Sequence, residues 1–346
     1  MSARREKMRA LLATGRIANL PTVCSNVLVG FWLSSSLLYA HQWQTPDQDI
    51  RPIALLILML PCCMIYVAGC MLGDAVDYRF DLKNRPERPL PRGILSPHGI
   101  RRASYLLFGL ALILLSFANH LLVLFQENNF SIPAAARTSI LQPEEILWGL
   151  LLTGLVMAYA FLHKRNKVAA LTMMGSCRFL LVVLAILFAH KTYLTQTSDT
   201  SEGLGWIIHS GQSWIFIPAI AVAAYTVLLS WVASTESKPG AFHARRILSI
   251  CLLIVPASSL SMIYLAPMAT TAQFMVYALT MTLCYLWIFH GLKALKHSKP
   301  LFVSRALAGF CLLDATYLAL IEPVAAALCL LLFVAALALQ RAAPAT

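Results

Sequence analysis

Charge is scarce in this chain: Asp, Glu, Lys and Arg make up only 12% of its 346 residues, about half the share of a soluble domain. A fold solvated mainly by water is therefore excluded. Strand-like alternation is missing as well. The apolar runs are continuous and about 20 residues long, which suits membrane-crossing helices and excludes a transmembrane barrel. No GxGxxG or GxxxxGKS/T segment occurs, so no nucleotide-binding domain is indicated. The nine cysteines (Cys24, Cys62, Cys63, Cys70, Cys177, Cys251, Cys284, Cys311 and Cys329) fall in apolar runs without paired metal-ligand spacing, and the nine histidines show none either. The cysteines read as small packing residues. With no repeat and no low-complexity tract, residues 1–346 read as a single membrane-embedded domain.

Hydrophobic residues, 59% of the chain, dominate what is present. Ten apolar spans are expected at 17–40, 53–72, 104–125, 146–162, 168–190, 213–232, 247–266, 272–292, 303–321 and 323–340. The last two are divided by Glu322 and Pro323, because together they exceed one ordinary span. The expected fold class is all-α, a polytopic transmembrane helical bundle of nine or ten helices. The basic stretch Met1 to Arg16 leads into an apolar run too long for a signal-peptide core, so that run is expected to remain as the first span. Threading the spans alternately puts 23 of the 27 Lys and Arg on one side, Arg51, Arg137 and Lys191 on the other, and Arg178 inside a span. Positive charge collects on the cytoplasmic side, so the amino terminus and the loop 73–103 are expected there. The same asymmetry accounts for the net charge of +12 without nucleic acid. The polar loops near 41–52, 126–145 and 191–212 fall on the opposite side.

Acidic residues number only 15, yet Asp74, Asp77 and Asp81 stand within eight residues at the cytoplasmic end of the second span. At 100° per residue they sit at about 0°, 300° and 340°, within roughly 60° of one another on one helix face. Such clustered carboxylates suit a hard divalent cation, and Mg²⁺ is commonly held by one or two carboxylates together with phosphate oxygens. A diphosphate ligand is thereby implied. The plainer alternative is an acidic helix end balanced by Arg79, Lys83, Arg85 and Arg88.

The DxxDxxxD pattern of Asp74, Asp77 and Asp81, followed by Arg88-Pro89-Leu90-Pro91-Arg92-Gly93, resembles the first signature of the UbiA family of intramembrane prenyltransferases. The opening Arg16-Ile17-Ala18-Asn19-Leu20-Pro21-Thr22 ahead of Gly30 is similar to that family's first helix, and Tyr159, Lys164, Arg165 and Arg178 fit its middle. The run Tyr225 to Glu236 is similar to a divergent bacterial branch, the EboC-like one. The resemblance covers roughly residues 16–320. It implies a helical bundle in the plasma membrane of a bacterium, with a cavity open to the cytoplasm and to lipid. In that cavity Mg²⁺ would hold the diphosphate of an isoprenyl donor while a lipid-soluble or aromatic acceptor attacks the allylic cation. Two positions depart from the family pattern. Gly73 stands where Asn usually precedes the first Asp. The second DxxxD signature is reduced to Ser234-Thr235-Glu236-Ser237-Lys238-Pro239-Gly240, with Glu236 for its first carboxylate and Gly240 in place of its second.

On this reading Asp74, Asp77, Asp81 and Glu236 are the metal-binding and catalytic candidates, and Arg88, Lys164, Arg165 and Arg178 are the diphosphate-binding candidates. Lys164 and Arg165 equally suit a positive-inside anchor, and His163 is grouped with that anchor rather than with a metal. Arg178, about 15 Å into its helix, and Asp314, about 16 Å into another, are intramembrane charges that need a partner or a wet cavity. Asp314 is open to contact with an acceptor, to pairing with Arg178, or to a protonated state. Asn19 and Asn26 line the donor pocket or act as interhelical hydrogen-bonding groups. Tyr66, Tyr159, Tyr225 and Trp231 are aromatic candidates for shielding a cation, or ordinary packing residues. The competing functional class is a lipid-binding or transporter-like protein of the same fold, for which Arg178 and Asp314 would line a path.

Overall fold

The computed structural model describes residues 3–42, 51–129, 143–197, 213–235, 244–266 and 269–342, and these are helical with short connections. The basic segment forms α1 (Ala3–Thr14), which leads through a 3₁₀ turn into α2 (Leu20–Gln42). Then come α3 (Arg51–Val76), the short α4 (Tyr78–Asn84), α5 (Pro97–Asn129), α6 (Pro143–Leu162) and α7 (Lys167–Thr197). After the next loop stand α8 (Ile217–Ala233), α9 (Arg245–Ala257), the single turn α10 (Met262–Leu265), α11 (Thr271–Ala294), α12 (Lys299–Leu318) and α13 (Pro323–Ala342).

Among the described residues nine helical stretches are long and apolar enough to cross a membrane, and Ile146–Leu162 is a shorter apolar one at the position of the fourth expected span. The break expected at Glu322 and Pro323 is present: α12 ends at Leu318, and Pro323 opens α13 as a first-turn residue that needs no hydrogen-bond partner for its nitrogen. The polar loops on the opposite side fall mostly outside the described residues.

The helices form no layered sandwich. Instead α2 and α12 are mostly buried and run through the middle, flanked by α3, α7, α8 and α13. Their apolar residues are enclosed: Val23, Val27 and Phe31 on α2 and Phe310, Leu313 and Tyr317 on α12 have at most 1% exposure. Leu56, Leu106, Met275 and Leu331 on the outer helices are exposed, as expected for surfaces that meet hydrocarbon. The Tyr225 hydroxyl donates to the Ala306 carbonyl at 3.0 Å and ties α8 to α12.

The close approach of α2 and α7 depends on Gly30, where an added Cβ would lie 2.5 Å from the Val182 carbonyl oxygen and 3.0 Å from Ala185 Cβ. Because the obstacle is backbone, the helices must separate to admit a side chain. Gly30→Val is therefore expected to destabilise the protein by about 1–3 kcal/mol. A thermal melt in detergent that matches wild type would contradict this packing.

Candidate active site at one end of the bundle

The helix carrying the aspartates ends at Val76, and Asp77 forms the junction with α4. The expected single helix is thus interrupted, although hydrogen bonds from Asp77 N to Gly73 O and from Asp81 N to Asp77 O, both 2.9 Å, keep the chain nearly helical. The triad consequently divides. Asp74 Oδ1 and Asp81 Oδ2 both accept from Nη1 of Arg88, at 3.3 and 2.9 Å. Asp77 turns to the loop between α6 and α7, where Lys164 Nζ lies 2.6 Å from Oδ1 and His163 Nε2 lies 3.3 Å from Oδ2.

Each cation is held by local structure. Arg88 belongs to the turn following α4, whose Leu90 is buried against Met71, Ala75 and Ile100. Gly93, at φ +72°, supplies the left-handed bend that returns the chain toward α5. Arg92 reaches Glu6 of α1 at 3.1 Å, so the amino-terminal helix is fastened to the same loop. Lys164 lies 3.9 Å from the centroid of the Phe80 ring as well as beside Asp77. The His163 ring stacks on Tyr159 at 5.1 Å, with Nδ1 3.0 Å from the Tyr159 carbonyl. That carbonyl can only accept, so Nδ1 carries a proton, and a protonated Nε2 then donates to Asp77.

Two residues of this cluster were not singled out as site residues in the sequence. Arg16 approaches Asp74 at 3.8 Å from the corner between α1 and α2. It is the one non-glycine residue with positive φ (47°) among the described residues, a left-handed conformation that costs free energy and that places its side chain at the acidic cluster. His163 is the other. Its adjacency to Lys164 was visible, but its partner Asp77 is 86 positions away.

Asp77 is held below the usual carboxylate range: burial pushes it upward, but hydrogen bonds from His163 and Lys164 outweigh that effect. His163 is raised above its ordinary value, chiefly by the hydrogen bond to Asp77, with burial opposing. The signs define a window. The His163 contribution to stability is complete below its unfolded pKa and disappears as pH rises through its raised folded value. The Asp77 contribution is present above its unfolded pKa and disappears as pH falls through its lowered folded value. An NMR titration is expected to place the His163 midpoint above the ordinary histidine value, and Asp77→Asn to bring it down. An unchanged midpoint in that variant would remove the pair.

A metal would need carboxylates facing one position. Among the described residues no three His, Cys, Asp or Glu side chains form a metal cage. Asp74 and Asp81 nevertheless flank a single cationic nitrogen, and these hard oxygen donors fit a Mg²⁺ ion whose remaining ligands are phosphate oxygens and water. At Gly73 an added Cβ would meet nothing within 4 Å, so the place of the family's Asn is open space. Glu236 and Gly240 lie outside the described residues.

Of the other candidates, Arg165 is exposed, with no ion pair among the described residues. Arg178 is not brought to the aspartates. Its guanidinium lies 5.7 Å from the ring of Tyr66, which precedes Asp74 by eight residues of α3, about 12 Å along the axis. There it donates to Asn26 Oδ1 at 2.6 Å, and Asn26 in turn donates to Asp314 at 2.7 Å. Asn19 is buried in the 3₁₀ turn just before α2, where its carbonyl accepts from the Thr22 hydroxyl at 2.8 Å.

The geometry thus defines a class: a helical membrane bundle with an acidic and basic cluster at one end and an isolated cation deeper inside. The model of the UbiA prenyltransferase family matches residues 23–126, from α2 through the aspartates into α5. Digeranylgeranylglyceryl phosphate synthase of Methanobrevibacter smithii is 39% identical over 61 residues, covering 18% of this chain and 22% of that protein. Those of Thermococcus kodakarensis (35% over 74 residues, 21% and 25%) and Sulfurisphaera tokodaii (28% over 107 residues, 31% and 34%) also match. The matched stretches thus span between about a fifth and a third of these curated relatives. A solved structure from a study of digeranylgeranylglyceryl phosphate synthase in membranes has the same fold. It aligns with 93% of this chain and 99% of its own, with a TM-score of 0.51 and 16% identity. Over residues 23–126 the chain is thus similar to the UbiA prenyltransferase family, and its fold is that of the solved structure.

Proposed function

We propose that this protein transfers a prenyl group from an isoprenyl diphosphate to a lipid-soluble or aromatic acceptor within the membrane, with Mg²⁺ as cofactor. The observation that carries the proposal is the cluster of Asp74, Asp77 and Asp81 with Arg16, Arg88, His163 and Lys164 at the end of an apolar bundle. Neither a purely acidic nor a purely basic site suits a metal-bound diphosphate, whereas this mixed set offers ligands for the cation and donors for the phosphate oxygens. Bound Mg²⁺ would neutralise charge developing on the leaving diphosphate.

The protein's own groups would do the rest. Arg88 and Lys164, now paired with carboxylates, can exchange those partners for phosphate oxygens as the carboxylates take the metal. Arg16 and His163 add positive charge without moving far from the cluster. The apolar walls keep water from an allylic cation, and the acceptor would approach from the lipid side. Glu236, which follows α8 in the sequence, would complete the metal site.

The reading puts the cluster on the cytoplasmic face of a plasma membrane, from the distribution of Lys and Arg. A cysteine introduced at Lys83 should then react with an impermeant maleimide only in inverted vesicles. Labelling in right-side-out cells would reverse the orientation. The activity itself is tested by incubating purified protein with isoprenyl diphosphates of different lengths and a membrane lipid extract. Pyrophosphate release abolished by EDTA and restored by Mg²⁺ is expected, and its absence across the panel would overturn the proposal.

A further inference from the structure

The amino-terminal helix α1 has two faces. Ala10 and Thr14 are buried, and Glu6, the one acidic residue of the helix, pairs with Arg92 at 3.1 Å. The other side carries Met8, Leu11 and Leu12, which are 54%, 41% and 38% exposed. At 100° per residue these three lie within about 100° of one another and form one apolar stripe. Arg4 stands on the same stripe one turn earlier, and Arg5 and Lys7 lie at its two margins, all three exposed.

At 12 residues α1 is too short to cross a membrane, yet the first apolar span starts at Ile17, just beyond its end at Thr14. Gly15 and Arg16 turn the chain between them. Gly15 N donates to Leu11 O at 2.9 Å, Arg16 N donates to Ala13 O at 3.0 Å, and Arg16 takes its left-handed φ of 47°, so α1 and α2 do not form one straight helix. The corner is packed against α3, since a Cβ added at Gly15 would lie 3.2 Å from Val67 Cγ1. A helix with such a stripe and cationic margins fits the boundary of a bilayer, where its apolar side chains enter the acyl region and Lys and Arg reach lipid phosphates. A protein partner fits less well, because three apolar side chains fall far short of the roughly 800 Å² that a stable interface buries on each side. The sign of the charge selects anionic headgroups over zwitterionic ones.

We propose that α1 docks on anionic phospholipids at the membrane surface, and that this docking holds the Gly15–Arg16 corner, and with it the Arg16 side chain, at the aspartate cluster. The coupling follows from the shortness of the corner: Gly15 alone separates Thr14 from Arg16, and Arg16 reaches Asp74 at 3.8 Å. On its inner side α1 is fastened by the exposed pair of Glu6 with Arg92, a kind of contact that contributes little by itself. Lipid supplies the second anchor. The proposal goes beyond prenyl transfer and does not depend on it.

The test is hydrogen–deuterium exchange of the full-length protein in nanodiscs of phosphatidylcholine alone and of phosphatidylcholine mixed with phosphatidylglycerol. With three cations close to an anionic surface, amides of α1 and of the corner from Gly15 to Asn19 are expected to exchange at least about tenfold more slowly when phosphatidylglycerol is present. Amides of the buried α12 should be unchanged and report that the bundle is folded. Salt at about 1 M, which shortens the screening length to about 3 Å, should remove most of the difference without any variant. The triple variant Arg4→Glu, Arg5→Glu and Lys7→Glu, confined to exposed positions, should exchange alike in the two lipids. A second variant, Leu11→Ser with Leu12→Ser, should speed α1 exchange in both lipids by removing the apolar stripe. Equal exchange of wild-type α1 in the two lipids, or a lipid difference that the folded triple variant retains, would overturn the docking. Protection of α1 without protection of the corner would overturn its coupling to Arg16.

Discussion

Asp74→Asn is expected to lower Mg²⁺-dependent pyrophosphate release by at least about 100-fold, a loss of about 2.7 kcal/mol of transition-state stabilisation. The amide keeps the shape of the carboxylate but is a poorer ligand for a hard cation. Asp74 is also the point where Arg88 and Arg16 meet, at 3.3 and 3.8 Å, so its charge orders two of the cations available to the diphosphate. The other carboxylates keep their own partners, Asp81 with Arg88 and Asp77 with Lys164, so the variant should still fold. Glu6→Gln is the matched control. It breaks the exposed ion pair with Arg92 at the same end of the molecule, and such pairs contribute about 0–1 kcal/mol. Rates for Glu6→Gln within about twofold of wild type, beside a large loss for Asp74→Asn, would locate the effect in the cluster. Equal rates for wild type and Asp74→Asn would exclude Asp74 from the chemistry.

The largest expected effect on stability comes from Asn26→Leu. Asn26 is fully buried and joins Arg178 to Asp314 through one amide, at 2.6 and 2.7 Å. Leucine fills similar space but serves neither, so an arginine loses one hydrogen-bond acceptor and a buried carboxyl group loses a donor at once. Removing one partner from a buried charged network costs about 3–5 kcal/mol. Unfolding midpoints in detergent should fall accordingly. In an Asp314→Leu background the same substitution should cost clearly less, because part of the network is already gone. Additive losses would show that the three side chains do not act as a unit.

Much of the candidate cluster was legible because it is local. The spacing of Asp74 and Asp81, seven residues or almost two turns, places them about 20° apart, and one Arg88 nitrogen does bridge them. Asp77, some 40–60° off that line, turns instead to Lys164, which was also a candidate. The pairing itself was not legible. Asp77 and His163 are 86 positions apart, and only the packing of α3 against α6 unites them. Arg16 was visible as part of the opening motif, but its left-handed backbone, which carries it to Asp74, has no sequence signature. Arg178 has the charge for a diphosphate, but its position along α7 sets it opposite Tyr66 rather than beside the aspartates. The spans followed from hydropathy almost directly, including the turn at Glu322 and Pro323, since a bilayer-crossing helix has a fixed minimum length.

The central claim is that a carbon–oxygen bond of an isoprenyl diphosphate is broken in this bundle and its prenyl group passed to another molecule. The most direct measurement is a single turnover with deuterium-labelled geranylgeranyl diphosphate, protein in molar excess, and an extract of the host membrane, followed by mass spectrometry. The account predicts one pyrophosphate released per labelled prenyl group found on an acceptor, with both products absent when EDTA is present or Asp74 is replaced by Asn. Recovery of the labelled diphosphate intact, bound to the protein but uncleaved in the presence of Mg²⁺, would contradict it.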